Sequence, residues 1–210
     1  MPDRSPDRLP RFTPAERWIH RVTAGLVAAL VVTAAVLYVG PLAVAVGRRA
    51  TVEYVHVAAG LALPVPTLLG LLSRAFRADV GRLGRFVPGD AEWLRRADRR
   101  VARLPVGKFN AGQKLAASLV AGCGATLLLT GIVMLGPTYV NVPVGWRQGA
   151  TLVHDLVAFA LCALLAGHVV EAYAHPAARE ALRTGSVDAE YARHEHPVWV
   201  RELETDPAER

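Results

Sequence analysis

Charge is missing from four long stretches of this 210-residue chain. Val22–Gly47 carries none over 26 residues, Tyr54–Ser73 none over 20, Leu115–Trp146 none over 32, and Gln148–Val170 only Asp155. Cysteine is scarce as well: Cys123 and Cys162 are the only two, and both fall inside the apolar runs. They read as small packing residues rather than as a disulfide or a metal pair. The first run is too long for the apolar part of a secretory signal and lacks a small-residue cleavage site, so it reads as a retained segment. No low-complexity tract and no clear internal repeat interrupts the pattern.

What is present is hydrocarbon-compatible helix. A bilayer core about 30 Å thick needs roughly 20 apolar residues per helical crossing, and all four runs meet that length. The expectation is an all-α membrane protein: a bundle of four transmembrane helices at about 18–42, 52–73, 112–136 and 149–174. Basic residues set its orientation. Five Arg lie in the N-terminal segment through Arg21, nine Arg plus Lys108 in the loop 74–110, and five Arg after His175, against Arg48, Arg49 and Arg147 in the two opposite loops. The positive-inside rule then puts both termini and the central loop in the cytoplasm. Anionic lipid beside those loops accounts for the net charge of +6, so no nucleic-acid partner is needed.

The chain divides into an N-terminal tail (1–13), a membrane domain (14–174, with the cytoplasmic loop 74–110) and a C-terminal tail (175–210). The Pro-rich polar start reads as a loose tail. Thr13, Pro14 and Glu16 read as a helix start, with Thr as N-cap and Pro at the first position. Pro64 and Pro66 should kink the second span or break its hydrogen-bond ladder. Ala91–Leu104 can form an amphipathic surface helix lying on the inner leaflet or on a partner, with Trp93, Leu94, Ala97, Val101 and Leu104 on one side, or equally a plain solvated loop helix.

Within the apolar runs the informative residues are histidines, because titratable side chains in a span are costly and mark functional sites. His154 and His168 share the last span, fourteen residues apart. At about 100° and 1.5 Å per residue they face nearly the same way, roughly 21 Å apart along the axis. Each finds a partner at its own depth: His56 at the outer edge of the second span for His154, and His20 at the inner edge of the first for His168. No thiolate or carboxylate cluster surrounds them, which disfavours zinc or di-iron carboxylate chemistry. A proton relay would want more acids than Asp155. Bis-histidine haem fits best: an apolar porphyrin in the bundle interior takes one imidazole from each of two helices, and two such sites at two depths make an electron path across the membrane. His175, His194 and His196 read as interface or tail residues.

Lys108-Phe109-Asn110-Ala111-Gly112-Gln113-Lys114, His196-Pro197 with Trp199 and Arg201-Glu202, and the four histidines together resemble the gamma (cytochrome b) subunit of membrane-bound formate dehydrogenase. This is similar to the wider cytochrome b561 and hydrogenase cytochrome b group, and the likeness covers about Arg11 to Glu202. It implies two haem b groups, one ligated by His20 and His168 on the cytoplasmic side and one by His56 and His154 on the outer side. It also implies a quinone acceptor (menaquinone or ubiquinone) at Asn110, Gly112 and Gln113 beside His168. There an amide can hydrogen-bond a quinone carbonyl and glycine admits a ring, although Asn110 could equally be a helix N-cap.

The partners implied are an iron–sulfur (beta) subunit on the outer face and a molybdenum- or tungsten-containing catalytic (alpha) subunit, in a bacterial cytoplasmic membrane. Formate chemistry itself would lie on the alpha subunit, so this chain would be the electron-transfer and quinone-reducing member of an oxidoreductase. Two alternatives stand beside this reading: the same cytochrome serving a hydrogenase or another molybdenum oxidoreductase, and a haem-free anchor whose histidines carry protons. Pro64, Pro66 and Asp155 depart from the family pattern around the outer site.

Overall fold

The fold is described from a computed structural model, over residues 7–98, 104–136 and 141–205. It is almost entirely helical, with four helices long and apolar enough to cross a membrane: Pro14–Tyr38, Arg49–Gly70, Ala111–Leu135 and Val144–Ala174. By contacts the chain separates into two compact units. One comprises residues 18–72 and 120–166, and the other residues 1–17, 73–119 and 167–210. We refer to them as the apolar unit and the polar unit.

In the apolar unit, α1 (Pro14–Tyr38) leads into a short helix α2 (Gly40–Val46), closed by Gly47 in the left-handed region. The outer connection expected after residue 42 is therefore itself partly helical. The second span is α3 (Arg49–Ala62) followed by α4 (Pro64–Gly70). The break falls where the prolines put it: Leu63 N–H reaches only the Gly60 carbonyl, at 3.3 Å, and Pro64 restarts the helix from its first turn. The third and fourth spans are α7 (Ala111–Leu135) and α8 (Val144–Ala174). α8 begins five residues earlier than the sequence reading had it. Large apolar side chains point outward from these helices, among them Val32, Leu68, Leu129 and Leu156, each at least 60% exposed. Hydrocarbon solvates such a surface and water does not. Tyr38 and Phe159 meet edge to face at 5.4 Å, and Arg49 donates to the Leu37 carbonyl at 3.1 Å, which together tie the C-terminal end of α1 to the start of α3 and to the middle of α8.

The polar unit corrects the reading of the first tail. The N-terminal tail is not loose from Arg8 onward: β1 (Arg8–Pro10) pairs antiparallel with β2 (Ser186–Asp188), Leu9 opposite Val187. The C-terminal tail folds too, as α9 (Pro176–Thr184), α10 (Ala189–Glu195) and α11 (Pro197–Thr205). Their apolar faces close on a core of Ala181, Val187, Ala192, Trp199, Val200 and Leu203, with Leu9, Phe12 and Tyr191 against it. Leu9 and Phe12 from one chain end and Trp199 from the other fill one core, which is why a short polar tail gains order.

The remainder of this unit is α5 (Arg74–Gly84), whose N-cap is Ser73, and α6 (Pro88–Arg95). The amphipathic helix expected over 91–104 is also corrected. α6 starts earlier, with Val87 N–H held by Asp90 Oδ2 at 2.8 Å, and ends before Arg96, whose backbone is extended. Trp93 and Leu104 turn inward on Ala111 and Val106 rather than out to lipid. Val101 of the expected helix lies outside the described residues, as do Pro137 and Tyr139 of the expected outer loop.

One glycine holds the strand pair to its helix. Gly185 closes α9 at φ 93°, and its carbonyl accepts from both Arg11 N–H (2.8 Å) and Phe12 N–H (3.0 Å). A Cβ there would stand 2.8 Å from the Phe12 carbonyl oxygen. Gly185→Ala should therefore cost about 1–3 kcal/mol of polar-unit stability, from the φ strain and the collision together. Gly81→Ala, mid-helix in α5 with nothing within 4 Å of the new methyl, should instead gain roughly 0.5–1 kcal/mol. Thermal unfolding of the two variants in detergent checks the opposite signs.

Candidate functional site

Of the four span histidines, the apolar unit holds three, and it brings two of them together. His56 on α3 and His154 on α8 have ring centres 6.4 Å apart, with planes at 62°. Two metal–imidazole bonds of about 2 Å, plus about 1 Å from each ring centre to its nitrogen, sum to roughly 6 Å. The separation thus matches two imidazoles sharing one metal ion. Each ring is also held from behind. His56 Nδ1 lies 2.8 Å from Thr33 Oγ1 on α1, and His154 Nδ1 lies 2.9 Å from Thr130 Oγ1 on α7. Four helices therefore contribute one member each: Thr, His, Thr, His in chain order.

The donor set suits a haem iron. It offers two imidazoles from two different helices in largely apolar surroundings, and the Nδ1 atoms of both rings are already engaged. Sequence reasoning reached the histidines but missed both threonines. A Thr in an apolar helix ordinarily bonds the carbonyl four residues back, so its hydroxyl carries no signal of a second partner. His20 belongs to the apolar unit and His168 to the polar unit.

The amide-rich stretch before α7 is built as a reciprocal cap. Asn110 Oδ1 accepts from Gln113 N–H at 2.9 Å, and Gln113 Oε1 accepts from Asn110 N–H at 3.0 Å, the capping-box arrangement. Both side-chain oxygens are thus engaged, and each side chain keeps its NH2 as a donor. Gly112 faces Trp93: a Cβ would lie 3.2 Å from two atoms of the indole. That glycine seats a tryptophan, whatever else approaches it.

The flanking lysines are buried in ion pairs. Lys108 Nζ sits 2.5 Å from Asp79 Oδ2 and 4.0 Å from Glu16 Oε1, and Lys114 Nζ donates to Asp90 Oδ2 at 2.8 Å. Phe12 and Phe109 stack at 6.3 Å beside Lys108. Arg11 donates to the Lys108 carbonyl at 2.6 Å and lies over Trp199 at 5.3 Å. Thr13 and Glu16 cap α1 as expected: Glu16 Oε2 accepts from Thr13 N–H at 2.6 Å and Oγ1 at 2.7 Å. Burial pushes the Asp79 carboxyl up to about 6, with Lys108 opposing and the hydrogen bond to Glu16 adding to the rise. His196, read from sequence as a tail residue, is only 3% exposed, and its Nδ1–H donates to the Gly107 carbonyl at 2.8 Å.

Residues 11–184 match the family described as prokaryotic cytochrome b561. The curated relatives are the cytochrome b556(Fdn) subunits of the nitrate-inducible formate dehydrogenase from Escherichia coli K12, from Escherichia coli O157:H7 and from Shigella flexneri. Each is 28% identical over 120 residues, covering 57% of this chain and 54% of the relative. The chain thus spans about half the length of the curated relatives it matches.

The buried imidazole of His196 has a pH signature. Desolvation, then the neighbouring Arg11 charge, lower its pKa from 6.5 to about 3, against the pull of the Gly107 carbonyl. A depressed histidine pKa means that the unfolded chain binds the proton more readily. The contribution is therefore complete above pH 6.5 and is lost as pH falls toward 3. Asp79, raised above its unfolded value, works in the opposite sense: its contribution is complete below 3.8 and lost as pH rises through about 6. Comparing wild type with His196→Gln isolates the histidine. Protection of residues 189–205 in amide hydrogen exchange should favour wild type at pH 7.5, with the advantage shrinking as pH falls from 6.5 toward 4.

Proposed function

The chain belongs to the prokaryotic cytochrome b561 family, and we propose that it is the dihaem cytochrome b subunit of a formate dehydrogenase-like complex, carrying electrons from an iron–sulfur subunit through the membrane to a quinone. The observation that carries this reading is the His56–His154 pair, 6.4 Å apart with both Nδ1 atoms engaged. Iron porphyrin held by two imidazoles supplies reversible one-electron storage and leaves no open coordination position for oxygen. His56 and His154 hold the outer haem b; His20 and His168, paired by depth in the sequence, hold the inner one. Both termini face the cytoplasm of a bacterial cell, following the distribution of arginine.

The quinone is assigned to Asn110, Gly112 and Gln113, as the family resemblance implies. The capping box narrows how these residues would act. With their oxygens engaged within the cap, Asn110 and Gln113 offer N–H donors to a quinone carbonyl. Gly112 acts through the position of Trp93. Electrons enter from the outer face, and protons for the reduced quinone come from the cytoplasmic side, so turnover charges the membrane. Formate oxidation and its metal cofactor belong to a separate alpha subunit. The Escherichia coli relatives, named as formate dehydrogenase subunits, support this assignment of the donor.

Redox difference spectra with haem quantification should give two haem b per chain. His56→Ala and His154→Ala should each lose one haem, the same one, and quinol formation driven by the complex should fall at least tenfold. Fully haem-supplied protein that purifies without iron porphyrin overturns the reading.

A further inference from the structure

We infer that Thr33 and Thr130 are positioning residues that fix the tautomer of the His56 and His154 imidazoles and so set the affinity and reduction potential of the outer haem. This rests on the reading of those histidines as axial ligands. The argument begins with proton counting. A threonine hydroxyl has one proton and two lone pairs. Thr33 Oγ1 lies 2.7 Å from the Ala29 carbonyl and 3.1 Å from that of Leu30. Thr130 Oγ1 lies 2.7 Å from the Thr126 carbonyl and 3.2 Å from that of Leu127. Carbonyl oxygens only accept, so each hydroxyl proton is committed to its own helix backbone. What the hydroxyl oxygen presents to the imidazole, at 2.8 Å and 2.9 Å, is a lone pair. Nδ1 must then carry the ring proton and donate it, and Nε2 is left as the bare nitrogen able to bind a metal. Reversing the donor would leave two oxygens 2.7 Å apart with no proton between them, at both sites.

The same reasoning gives the direction of the electronic effect. An Nδ1–H that donates to an acceptor makes the ring more basic at Nε2, and a more basic ligand favours the oxidised iron. Each threonine therefore lowers the outer haem's potential and strengthens its retention. The two sites are built alike. In each, a span carrying the threonine is followed by the span carrying the histidine, 23 residues on in one case and 24 in the other. That repetition is more than chance back-bonding of two hydroxyls requires.

The experiment uses the intact complex with Thr33→Val, Thr130→Val and the corresponding Ser variants. Its readouts are haem content, potentiometric titration and the electron paramagnetic resonance of the ferric low-spin haems. Each Val variant, which keeps the shape and removes the hydroxyl, should shift one haem's midpoint upward, alter its g-values and weaken its retention about tenfold or more. The second haem is an internal control and should not move. Each Ser variant, which keeps the hydroxyl, should match wild type. Val variants with both midpoints and both resonances unchanged overturn the inference, as do Ser variants that shift as far as Val. A wild type lacking the outer haem overturns the ligand assignment instead, and the two failures are told apart in one preparation.

Discussion

Inside hydrocarbon a polar group has no solvent to fall back on, and the apolar unit is shaped by that demand. Thr33 and Thr130 meet it twice over: each hydroxyl donates to its own helix backbone and accepts from a histidine on the next span. Four helices with almost no other polar content are thereby tied pairwise through two hydrogen bonds. An unsatisfied imidazole N–H there would cost several kcal/mol. The rings are consequently held in one orientation by what they need, before any metal is considered. In this sense the 6.4 Å ring separation is a property of helix packing.

The polar unit solves the opposite problem, that of holding charge away from water. Arg11, Glu16, Asp79, Asp90, Lys108 and Lys114 are all buried, and most of their charge is compensated within the unit by pairing rather than by solvent. Buried pairs contribute little net stability over apolar packing, yet deleting one partner is expensive. They fix geometry instead. Lys108 is held by Asp79 and Lys114 by Asp90, and between them Asn110 and Gln113 close a cap at the start of α7. The stretch that most distinguished this sequence is therefore a scaffold first. Its two cations are already spoken for, so any ligand it receives meets amide N–H groups and not ammonium.

The four spans were legible because hydrocarbon imposes one simple rule on composition, and the proline break at Leu63 was legible because Pro64 lacks an N–H. The pairing of His56 with His154 followed from depth alone. Other features were out of reach for specific reasons. β1 and β2 are three residues each, too short for alternation to register, and the paired residues lie far apart in the chain, Leu9 opposite Val187. The end of α6 at Arg95 depends on Trp93 finding the glycine surface at Gly112, a tertiary contact that overrides the helical pattern running on to Leu104. His196 looked like a tail residue because its burial depends on Arg11, Trp199 and the Gly107 carbonyl, brought together only by folding. Thr33 and Thr130 were hidden for the opposite reason: their ordinary backbone bond explains them completely until the neighbouring helix is seen.

That last case bears on how such a site keeps its register. A helix that slips by one residue rotates its side chains by about 100°, which would carry His56 off Thr33, or His154 off Thr130, and leave a donor stranded in hydrocarbon. The penalty for the slip falls on the same two rings that the packing brings to 6.4 Å. Hydrophobic contact between apolar helices is nearly indifferent to such a slip, because lipid tails and leucine are equally apolar. Two threonine–histidine bonds thus supply the directional information that the apolar surfaces lack, and a four-helix bundle with little polar content can still hold two imidazoles 6.4 Å apart.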